Sequence, residues 1–404
     1  MSAGSRGPTR IAVLNTHPIQ YFAPLYAYLN RAEDLDVTAL YLSDFSLRGA
    51  RDPGFGQTVT WDIDLLEGYT SRFVGSRWRT AEPSGFSSMV APELWREISR
   101  DRYDAVWVHG HGYAACLVAV AVARAKGIPV FMRGETHLGL PIAGAKAGLR
   151  RPLMQTLYAQ CAGLLAIGSA NADYYRAMGV PDRKISIVPY SVDNERFAAA
   201  SRITAEERSE MRARLGVHDE APVILYASKF QRRKHPDDLL AAFLKLRAQG
   251  IDAHLVMVGS GEMEAELHAT AAKAGDANIH FPGFFNQSDL PRVFAACELF
   301  VLPSSIEPWG LIVNEVMCAG LPVVVAREVG CVPDLVHDGV NGALFPAGDV
   351  DALAAALATI AADAGLRARM GAASRERIAH WGFAECLAGV REALRKAGVT
   401  GAAA

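Results

Sequence analysis

The stretch Ser304–Val325, SSIEPWGLIVNEVMCAGLPVVV, joins two short apolar runs through a polar loop and an apolar segment of helix length. The first run, Leu299–Leu302, precedes the stretch, a helix is expected to open at about Gly310, and the second run, Pro322–Val325, closes it. Short continuous apolar runs separated by helix-length segments are typical of parallel strands that are buried on both faces. The stretch therefore predicts one strand, helix and strand unit of a doubly wound α/β sheet.

The same alternation extends along the whole chain. In the first half the strand-like runs are Ile11–Leu14, Val37–Leu42, Ala105–Val108, Val130–Met132, Gly163–Ile167 and Ile185–Val188. In the second half they are Val223–Tyr226, Ala253–Val258, Ile279–Phe281, Leu299–Leu302 and Pro322–Val325. Since 404 residues exceed what one hydrophobic core usually organises, the two series predict two Rossmann-like α/β domains.

A polar, charged segment between Asn194 and Pro222 separates the two series. We therefore expect an N-terminal domain of residues 1–200, a C-terminal domain of residues 201–380, and a final helix, residues 381–404, that returns towards the N-terminal domain. Ligands of such sheets bind beyond the carboxyl ends of the strands. Two domains that face each other would therefore present their ligand loops to a central cleft.

Bulk composition excludes several classes of protein. The formal net charge of −2 provides no positive field for nucleic acid. The six cysteines contain no C-x-x-C pair and lie in apolar contexts, which favours buried thiols in a reducing compartment. The first ten residues lack the apolar core of a signal peptide, and the longest apolar run, Ala114–Ala123, is too short to span a bilayer. We expect a cytoplasmic protein that binds no nucleic acid.

The loop before the predicted helix at Gly310 has the features of an anion site. A helix start presents free backbone N–H groups and the positive end of a dipole. Glu307 precedes this turn and would lie near the group attached to a bound anion, whereas Glu315 lies more than one turn into the helix and could bind ribose hydroxyls. The alternative is a solvated surface pair, but Glu315 lies in an otherwise apolar helix, where a buried acid needs a partner.

Several motifs together resemble the retaining family 4 glycosyltransferases of the GT-B fold. The E-x7-E spacing after Pro-Ser, followed by Ala-Gly-x-Pro-Val-Val, matches the family pattern. Other matching segments are the basic segment Ala227–Lys234 after the first strand of the second series, the Gly-x-Gly turn Val258–Glu262, the base-contacting loop Phe281–Phe284 and the Asp-Gly-x-Asn-Gly turn Val336–Gly342. The resemblance covers nearly the whole chain and is strongest from residue 222 to residue 350.

The resemblance implies that Lys229 and Lys234 stabilise a departing diphosphate, together with the helix start at Gly310. Cations are needed there because negative charge develops as the diphosphate leaves. Lys229 stands where the family usually has arginine, so it would act as a point charge rather than a planar fork. The alternative is a solvated basic loop, which is our interpretation of Arg232 and Arg233.

The resemblance also assigns further residues to the donor. Glu307 would orient the transferred sugar and Glu315 would hold ribose. The predicted donor-binding residues are Gly259, Gly261, Phe284, Pro308, Trp309, Gly310, Leu311, Ile312 and Glu315.

On the acceptor side, the loop after the first strand differs from the Gly-rich turn of many family members. It contains His17, Pro18 and Gln20 and resembles a bacterial subgroup with a His-Pro-Ile-Gln-Tyr motif. A polar loop at this strand end predicts acceptor contacts for His17 and Gln20. The alternative is a capped turn in which His17 only fixes the local backbone.

Four more polar residues lie just after strands of the first series. His109 matches the family's cleft histidine, which implies contact with the transferred sugar. For His111 two interpretations stay open: a site residue or a helix-entry residue. Arg133 and Glu135 follow the next strand and could bind the acceptor or the donor phosphate. They could equally form one salt bridge, which by itself does not establish a site.

Two other patterns carry less weight. Asp62 and Asp64 form a D-x-D, but Thr58–Leu66 alternates like a strand and offers no further ligands, so we expect no metal site. The segment Lys146–Tyr158 mixes arginine with apolar residues and could give weak peripheral membrane association. Pro152 is expected to interrupt this segment, which favours packing against its own domain.

Taken together, the resemblance implies a retaining glycosyltransferase that moves a hexose from a nucleotide diphosphate sugar to a hydroxyl acceptor, with no further cofactor. A UDP-sugar is favoured over a GDP-sugar, and the product would be a polysaccharide, a glycolipid or a secondary-metabolite glycoside. Two alternatives stay open: a GT-B sugar-nucleotide epimerase, which needs no acceptor, and a non-catalytic binding subunit of a glycan assembly system. The sequence specifies neither the base, the sugar nor the acceptor.

Overall fold

The computed structural model describes residues 7–52, 57–75, 77, 79–99, 101–141 and 147–399. The chain divides into two compact units. The first unit combines residues 1–50, 63–191 and 383–404, and the second combines residues 51–62 and 192–382.

The first unit is built on a parallel sheet flanked by helices. Its strands are β1 (Thr9–Asn15), β2 (Leu35–Tyr41), β5 (Thr70–Phe73), β6 (Ala105–His109), β7 (Val130–Arg133), β8 (Gly163–Ala166) and β9 (Ile185–Ile187). Its helices are α1 (Ala23–Leu29), α2 (Leu94–Glu97), α3 (Ala114–Ala125), α4 (Ala147–Ala159), α5 (Ser169–Ala177) and α15 (Phe383–Lys396). The strand order over the described residues is β5-β2-β1-β6-β7-β8-β9, with all neighbours parallel.

The centre of this sheet is almost wholly apolar, as burial on both faces requires. Leu14, Val106 and Met132 belong to one buried cluster that joins β1, β6 and β7 to the surrounding helices. In the register of the sheet, Ile11 of β1 lies between Val37 and Ala105. The strand ends therefore lie side by side at one edge.

The final helix, α15, belongs to the first unit. The ring of Phe383 lies 5.6 Å from that of Tyr28, and Lys396 Nζ donates to the Ile185 carbonyl at 2.7 Å. Gly389 is required where the helix crosses β9, because an added Cβ would lie 2.0 Å from the Ile187 carbonyl oxygen. Close backbone packing thus holds α15 on this unit.

Helix α4 continues through Pro152, so the expected interruption there is wrong. Pro152 is the sixth residue of the helix, where its missing N–H removes one intrahelical donor. Met154 and Tyr158, one turn apart, are buried in the core of the first unit, as the packing alternative predicts. Lys146 lies outside the described residues.

The second unit repeats the architecture. Its sheet strands are β10 (Val223–Ala227), β11 (His254–Val258), β12 (Ile279–Gly283), β13 (Leu299–Leu302), β14 (Val323–Ala326) and β15 (Gly342–Phe345). Its helices are α6 (Asn194–Ala200), α7 (Ala205–Arg214), α8 (Pro236–Ala248), α9 (Glu264–Ala274), α10 (Leu290–Ala295), α11 (Leu311–Ala319), α12 (Val332–Leu335), α13 (Val350–Ala362) and α14 (Ala364–Ile378). Over the described residues the order is β12-β11-β10-β13-β14-β15, again parallel throughout.

Both sheets contain a topological switch point, where successive strands are added on opposite sides. In the first unit this point lies between β1 and β6, and in the second it lies between β10 and β13. Loops diverge at such a point and leave a crevice beyond the strand ends, where ligands of open α/β sheets bind. The fold thus defines one candidate binding edge in each unit.

Every strand-like run predicted from the sequence overlaps a strand of the structure. The prediction missed β5, β15 and β3 (Ala50–Asp52), which pairs with β4 (Gln57–Val59) in a short two-stranded sheet. The predicted strand Thr58–Leu66 is wrong beyond Val59, where the chain turns. None of the described helices combines the length and hydrophobicity that a membrane crossing requires.

Candidate active site

At the switch point of the second unit, Lys234 and Glu307 form a buried ion pair. Lys234 ends the 3-10 turn Arg232–Lys234 after β10, and Glu307 lies in the loop after β13. Lys234 Nζ donates to Glu307 Oε2, and about a tenth of each side chain is exposed. Two residues that are 73 positions apart therefore meet where the predicted diphosphate would bind.

Neighbouring residues fasten these two loops together. The Ser305 N–H donates to the Arg233 carbonyl at 3.0 Å, and Arg233 Nη1 donates to the Ile306 carbonyl at 2.9 Å. His235 Nε2 lies 2.8 Å from Ser305 Oγ, and its Nδ1 lies 2.8 Å from Asp238 Oδ2. The interpretation of Arg233 as merely solvated is therefore wrong, because this residue helps to fix the position of Glu307.

Electrostatics make Lys234 titratable near neutral pH. Burial, followed by the nearby charges of Arg233 and Lys229, lowers the pKa of Lys234 to about 7. The Glu307 carboxylate opposes this shift because it favours the charged amine. A second anion at this site would favour the ammonium form further.

The helix start at the same edge requires a glycine. Gly310 caps α11 with φ of 94°, in the left-handed region, and an added Cβ would lie 3.0 Å from the Leu302 side chain and 3.2 Å from that of Val329. The first N–H groups of a helix, here those of Leu311 and Ile312, have no intrahelical acceptor. These groups and the helix dipole favour an anion beside Lys234.

Several predicted donor residues have structural tasks as well. Trp309 is 2% exposed, its indole N–H donates to Asn314 Oδ1 at 2.9 Å, and its ring stacks on Trp381 at 5.6 Å. Its side chain anchors the loop in the core, and donor binding by Trp309 stays a prediction. Glu315 is 1% exposed, so its predicted bond to ribose requires the ligand to reach a buried carboxylate.

The predicted Gly-x-Gly turn packs directly on the loop that carries Lys229. An added Cβ at Gly259 would lie 2.2 Å from the Ser228 carbonyl oxygen, and one at Gly261 would lie 2.7 Å from that of Phe230. Glycine is therefore needed at both positions for the two loops to pack this closely. Their contact with a donor stays a prediction, as do those of the half-buried Phe284 and Pro308.

At the switch point of the first unit, His109 lies in a largely aromatic setting. Its Nε2 lies 2.8 Å from the Tyr26 hydroxyl, which also accepts from Asn15 Nδ2 at 2.6 Å. The ring stacks on Trp107 at 5.2 Å and lies 4.3 Å from that of Phe22. Burial, with a smaller contribution from a nearby arginine, lowers the pKa of His109 well below its usual range. His109 is therefore neutral at physiological pH.

Arg133 is the arginine beside His109, and it is 2% exposed. Its Nη2 donates to the Pro189 carbonyl at 3.0 Å, and its guanidinium carbon lies 5.3 Å from the Tyr190 ring centre. Glu135 bonds to Tyr190 and keeps an exposed surface, and desolvation of its carboxyl raises its pKa. In the described structure these two residues do not form the salt bridge that was the alternative prediction.

The loop after β1 places His17 against its own neighbours. His17 Nδ1 lies 2.9 Å from Thr16 Oγ1, and its ring packs edge-on to Phe45 at 5.5 Å. Burial lowers the pKa of His17 to about 4. Ser46 Oγ fixes the following turn by donating to the Pro18 carbonyl at 2.6 Å. These contacts fit the capped-turn alternative, and acceptor binding by His17 and the half-buried Gln20 stays a prediction.

The two aspartates of the D-x-D make separate local contacts. Asp62 Oδ2 accepts from the Ser288 N–H at 3.2 Å, and Asp64 Oδ1 accepts from the Leu66 N–H at 2.8 Å. Within the described residues, the side chains with metal-ligand spacing are instead His235, Asp237 and Asp238. His235 uses both ring nitrogens in hydrogen bonds, which leaves it poorly placed as a ligand.

Two Rossmann-like units, each with polar groups at its switch point, define the α/β architecture of the GT-B glycosyltransferases. Comparison with known families agrees: residues 19–191 match the glycosyl transferase 4-like domain, and residues 207–377 match the glycosyl transferases group 1 domain. The chain thus belongs to the family 4-like glycosyltransferases of the GT-B fold.

Two curated relatives match about half of the chain. A GDP-mannose-dependent monoacylated alpha-(1-6)-phosphatidylinositol monomannoside mannosyltransferase of Corynebacterium glutamicum is 32% identical over 204 residues, which cover 48% of this chain and 52% of the relative. A D-inositol 3-phosphate glycosyltransferase of Xylanimonas cellulosilytica is 33% identical over 232 residues, 56% of this chain and 54% of the relative. The matches therefore span little more than half the length of these relatives.

A solved structure matches across both units. HepE of Anabaena, crystallised with UDP and glucose, superposes with a TM-score of 0.72 over 96% of this chain and 99% of that chain. The two sequences are 19% identical, so this likeness concerns the fold.

Proposed function

We propose that this protein is a retaining glycosyltransferase that moves a hexose from a nucleotide diphosphate sugar to a hydroxyl acceptor. The observation that carries the proposal is the Lys234–Glu307 pair at the switch point of the second unit, beside the start of α11. A buried cation, a helix start and a carboxylate together suit a sugar diphosphate, which brings both negative charge and hydroxyl groups.

In this proposal the second unit binds the leaving group. Lys234 Nζ and the N–H groups of Leu311 and Ile312 stabilise the charge that develops on the diphosphate as its bond to the sugar breaks. Lys229 adds a further positive charge. When Lys234 bonds to phosphate, the Glu307 carboxylate becomes available to orient the sugar hydroxyls. Glu315 binds ribose.

Retention follows from a front-face reaction without a protein nucleophile. The bond between the anomeric carbon and the leaving phosphate oxygen breaks, and the acceptor oxygen bonds to the same face of that carbon. The acceptor proton passes to the leaving phosphate, so the nucleotide diphosphate carries it away. The protein contributes charge stabilisation and orientation, and no resident cofactor takes part.

Two of the similar proteins inform the choice of donor. The Corynebacterium glutamicum relative is named for GDP-mannose, and HepE was crystallised with UDP and glucose. Both bases are therefore candidates here, with the UDP-sugar proposed first. On the acceptor side we propose His17, Gln20, Arg133 and Glu135, with His109 contacting the transferred sugar.

The test is to incubate the protein with a panel of UDP- and GDP-hexoses and to follow slow hydrolysis by NMR, because hydrolysis needs no acceptor. We expect one donor to release a free hexose whose first-formed anomer has the configuration of the donor. The opposite first-formed anomer would overturn retention. An isomerised nucleotide sugar would indicate the epimerase alternative, and tight binding without turnover, even with added glycan acceptors, would indicate a binding subunit.

A further inference from the structure

A hydrogen-bonded chain of three side chains lies at the switch point of the first unit. Asn15 ends β1, His109 ends the neighbouring β6, and Tyr26 lies on α1. Asn15 and Tyr26 are 5% and 0% exposed. The Tyr26 oxygen lies 2.6 Å from Asn15 Nδ2 and 2.8 Å from His109 Nε2. The three groups are therefore held in fixed order on adjacent elements.

The available hydrogen atoms decide which group donates in each of these two hydrogen bonds. An amide nitrogen can only donate, so Asn15 donates to the Tyr26 oxygen. The Tyr26 hydroxyl has one hydrogen, and a buried hydroxyl that leaves its hydrogen unbonded loses about 1–3 kcal/mol. The acceptor within hydrogen-bond distance of this hydroxyl is His109 Nε2. Tyr26 therefore donates to Nε2, which must be unprotonated.

We infer that Asn15 and Tyr26 are positioning residues, which hold His109 as a neutral imidazole with its proton on Nδ1. In the described structure Nδ1 makes no hydrogen bond, so this N–H is the donor that His109 can offer to a ligand. The inference rests on the proposed function only in naming that ligand, which is a hydroxyl oxygen of the transferred hexose.

The surroundings favour the same protonation state. Arg133 places a positive charge near His109, which disfavours a second positive charge on the imidazole. The rings of Phe22 and Trp107 exclude water from its faces and offer no ionic partner. A fixed neutral tautomer presents a donor without adding positive charge beside the sugar carbon, where positive charge develops as the leaving group departs.

The direct test is NMR of the full chain with 15N-labelled histidine, with His109 assigned by comparison with His109→Gln. At pH 7.5 we expect the signature of a protonated Nδ1 and a bare Nε2, unchanged down to pH 5.5. The opposite tautomer would show that His109 donates to Tyr26 and Tyr26 donates to Asn15. A positively charged imidazole would show that Asn15 and Tyr26 do not keep His109 neutral. Either result overturns the inference.

Two variants then test the direction. Asn15→Asp replaces the donor by an acceptor, so Tyr26 should turn its hydrogen towards residue 15 and the His109 proton should move to Nε2. Tyr26→Phe removes the hydroxyl, and the Nδ1 signature should give way to a mixture of tautomers. Unchanged His109 signals in both folded variants would exclude a positioning role. Tyr103→Phe, whose hydroxyl contacts Glu97, is the matched control and should leave the signals unchanged.

Activity separates this inference from the proposed function. With a donor that the wild-type protein hydrolyses, Tyr26→Phe should lower kcat about fivefold to tenfold, the scale of one lost neutral hydrogen bond, with KM for the donor within about twofold. If no nucleotide sugar is hydrolysed, the proposed function fails, but the tautomer of His109 is still decided by the NMR spectrum. A normal kcat in Tyr26→Phe with an altered tautomer would overturn the role towards the sugar.

Discussion

The two switch points share one topology but differ in chemistry. In the second unit Lys234 and Glu307 form an ion pair with further basic residues close by. In the first unit His109 is neutral and lies among the aromatic rings of Trp107 and Phe22. The parallel sheet therefore supplies only the position of a site, while the loops decide whether that site suits a charged or an uncharged group.

The difference fits the division of labour that we propose. A leaving diphosphate needs positive charge, whereas a sugar carbon that becomes positive is better served by neutral donors and aromatic surfaces. Burial acts in both places, because it lowers the pKa values of Lys234 and His109 alike. Only Lys234 has a carboxylate partner in contact, which keeps it able to hold a proton near pH 7.

Among the variants of the second switch point, Glu307→Gln is expected to have the largest effect. Removing the charge should leave nucleotide binding intact but lower transfer or donor hydrolysis by at least about 100-fold, the scale of one well-placed electrostatic contact. The measurement is kcat with the donor identified in the panel. Glu376→Gln, on the exposed face of α14, is the control. Turnover equal to that of the wild type would remove Glu307 from the site.

A smaller effect is expected for Glu315→Ala. A charged hydrogen bond contributes roughly 1.5–3 kcal/mol, so nucleotide affinity should fall by roughly 10- to 150-fold. Calorimetry with UDP and GDP measures this change, and thermal melting checks that the buried substitution leaves the unit folded. Equal affinity in a folded variant would show that Glu315 serves the fold rather than ribose.

The ion pair also predicts proton uptake. Free Lys234 has a pKa of about 7, and a bound diphosphate should raise it because the anion favours the ammonium form. The affinity due to this charge is fully present below pH 7 and declines above it, by at most about tenfold per pH unit, until the pH passes the raised pKa of the complex.

Calorimetry at pH 8 in buffers of different ionisation enthalpy should therefore detect uptake of a fraction of a proton. Lys234→Arg, which stays charged throughout this range, should bind without uptake. Uptake that persists in Lys234→Arg would assign the titrating group elsewhere.

The smallest effect is expected on chelation. Lys234 and the start of α11 supply the positive charge that a D-x-D enzyme takes from a divalent ion. A chelator should therefore leave the initial rate within about twofold, compared with a sample passed through the same buffer exchange. Loss of activity that manganese restores would return Asp62 and Asp64 to consideration.

The sequence predicted the fold well because buried parallel strands leave a local signal. Runs such as Val323–Ala326 are short, apolar and bounded by helices, so their pattern identifies them without knowledge of their partners. Two edge strands were missed for the opposite reason. β5 alternates between exposed and half-buried residues, and β15 has half-buried residues in its middle, so neither presents a continuous apolar run.

The site was predictable only where a motif is contiguous. Gly310 was identified as a helix start from its own neighbours, and the structure places it at the cap of α11. The bonds of Arg233 and His235 to the loop after β13 were missed because they join segments about 70 residues apart. The contact of Tyr26 with His109 was missed for the same reason: nothing in the sequence near either residue indicates the other.

Diphosphate binding at the switch point of the second unit can be measured by calorimetric titration of UDP and GDP into three proteins: the wild type, Lys234→Ala and Lys245→Ala. Lys245 lies on α8 and pairs with the exposed Asp351, so its loss should not affect the site. We predict that the wild type and Lys245→Ala bind one of the two nucleotides equally well. Lys234→Ala should bind it at least about tenfold more weakly, because a charged contact to phosphate is lost. Equal affinity in all three proteins, or no binding of either nucleotide to the wild type at millimolar concentration, would contradict the assignment of the diphosphate to the switch point of the second unit.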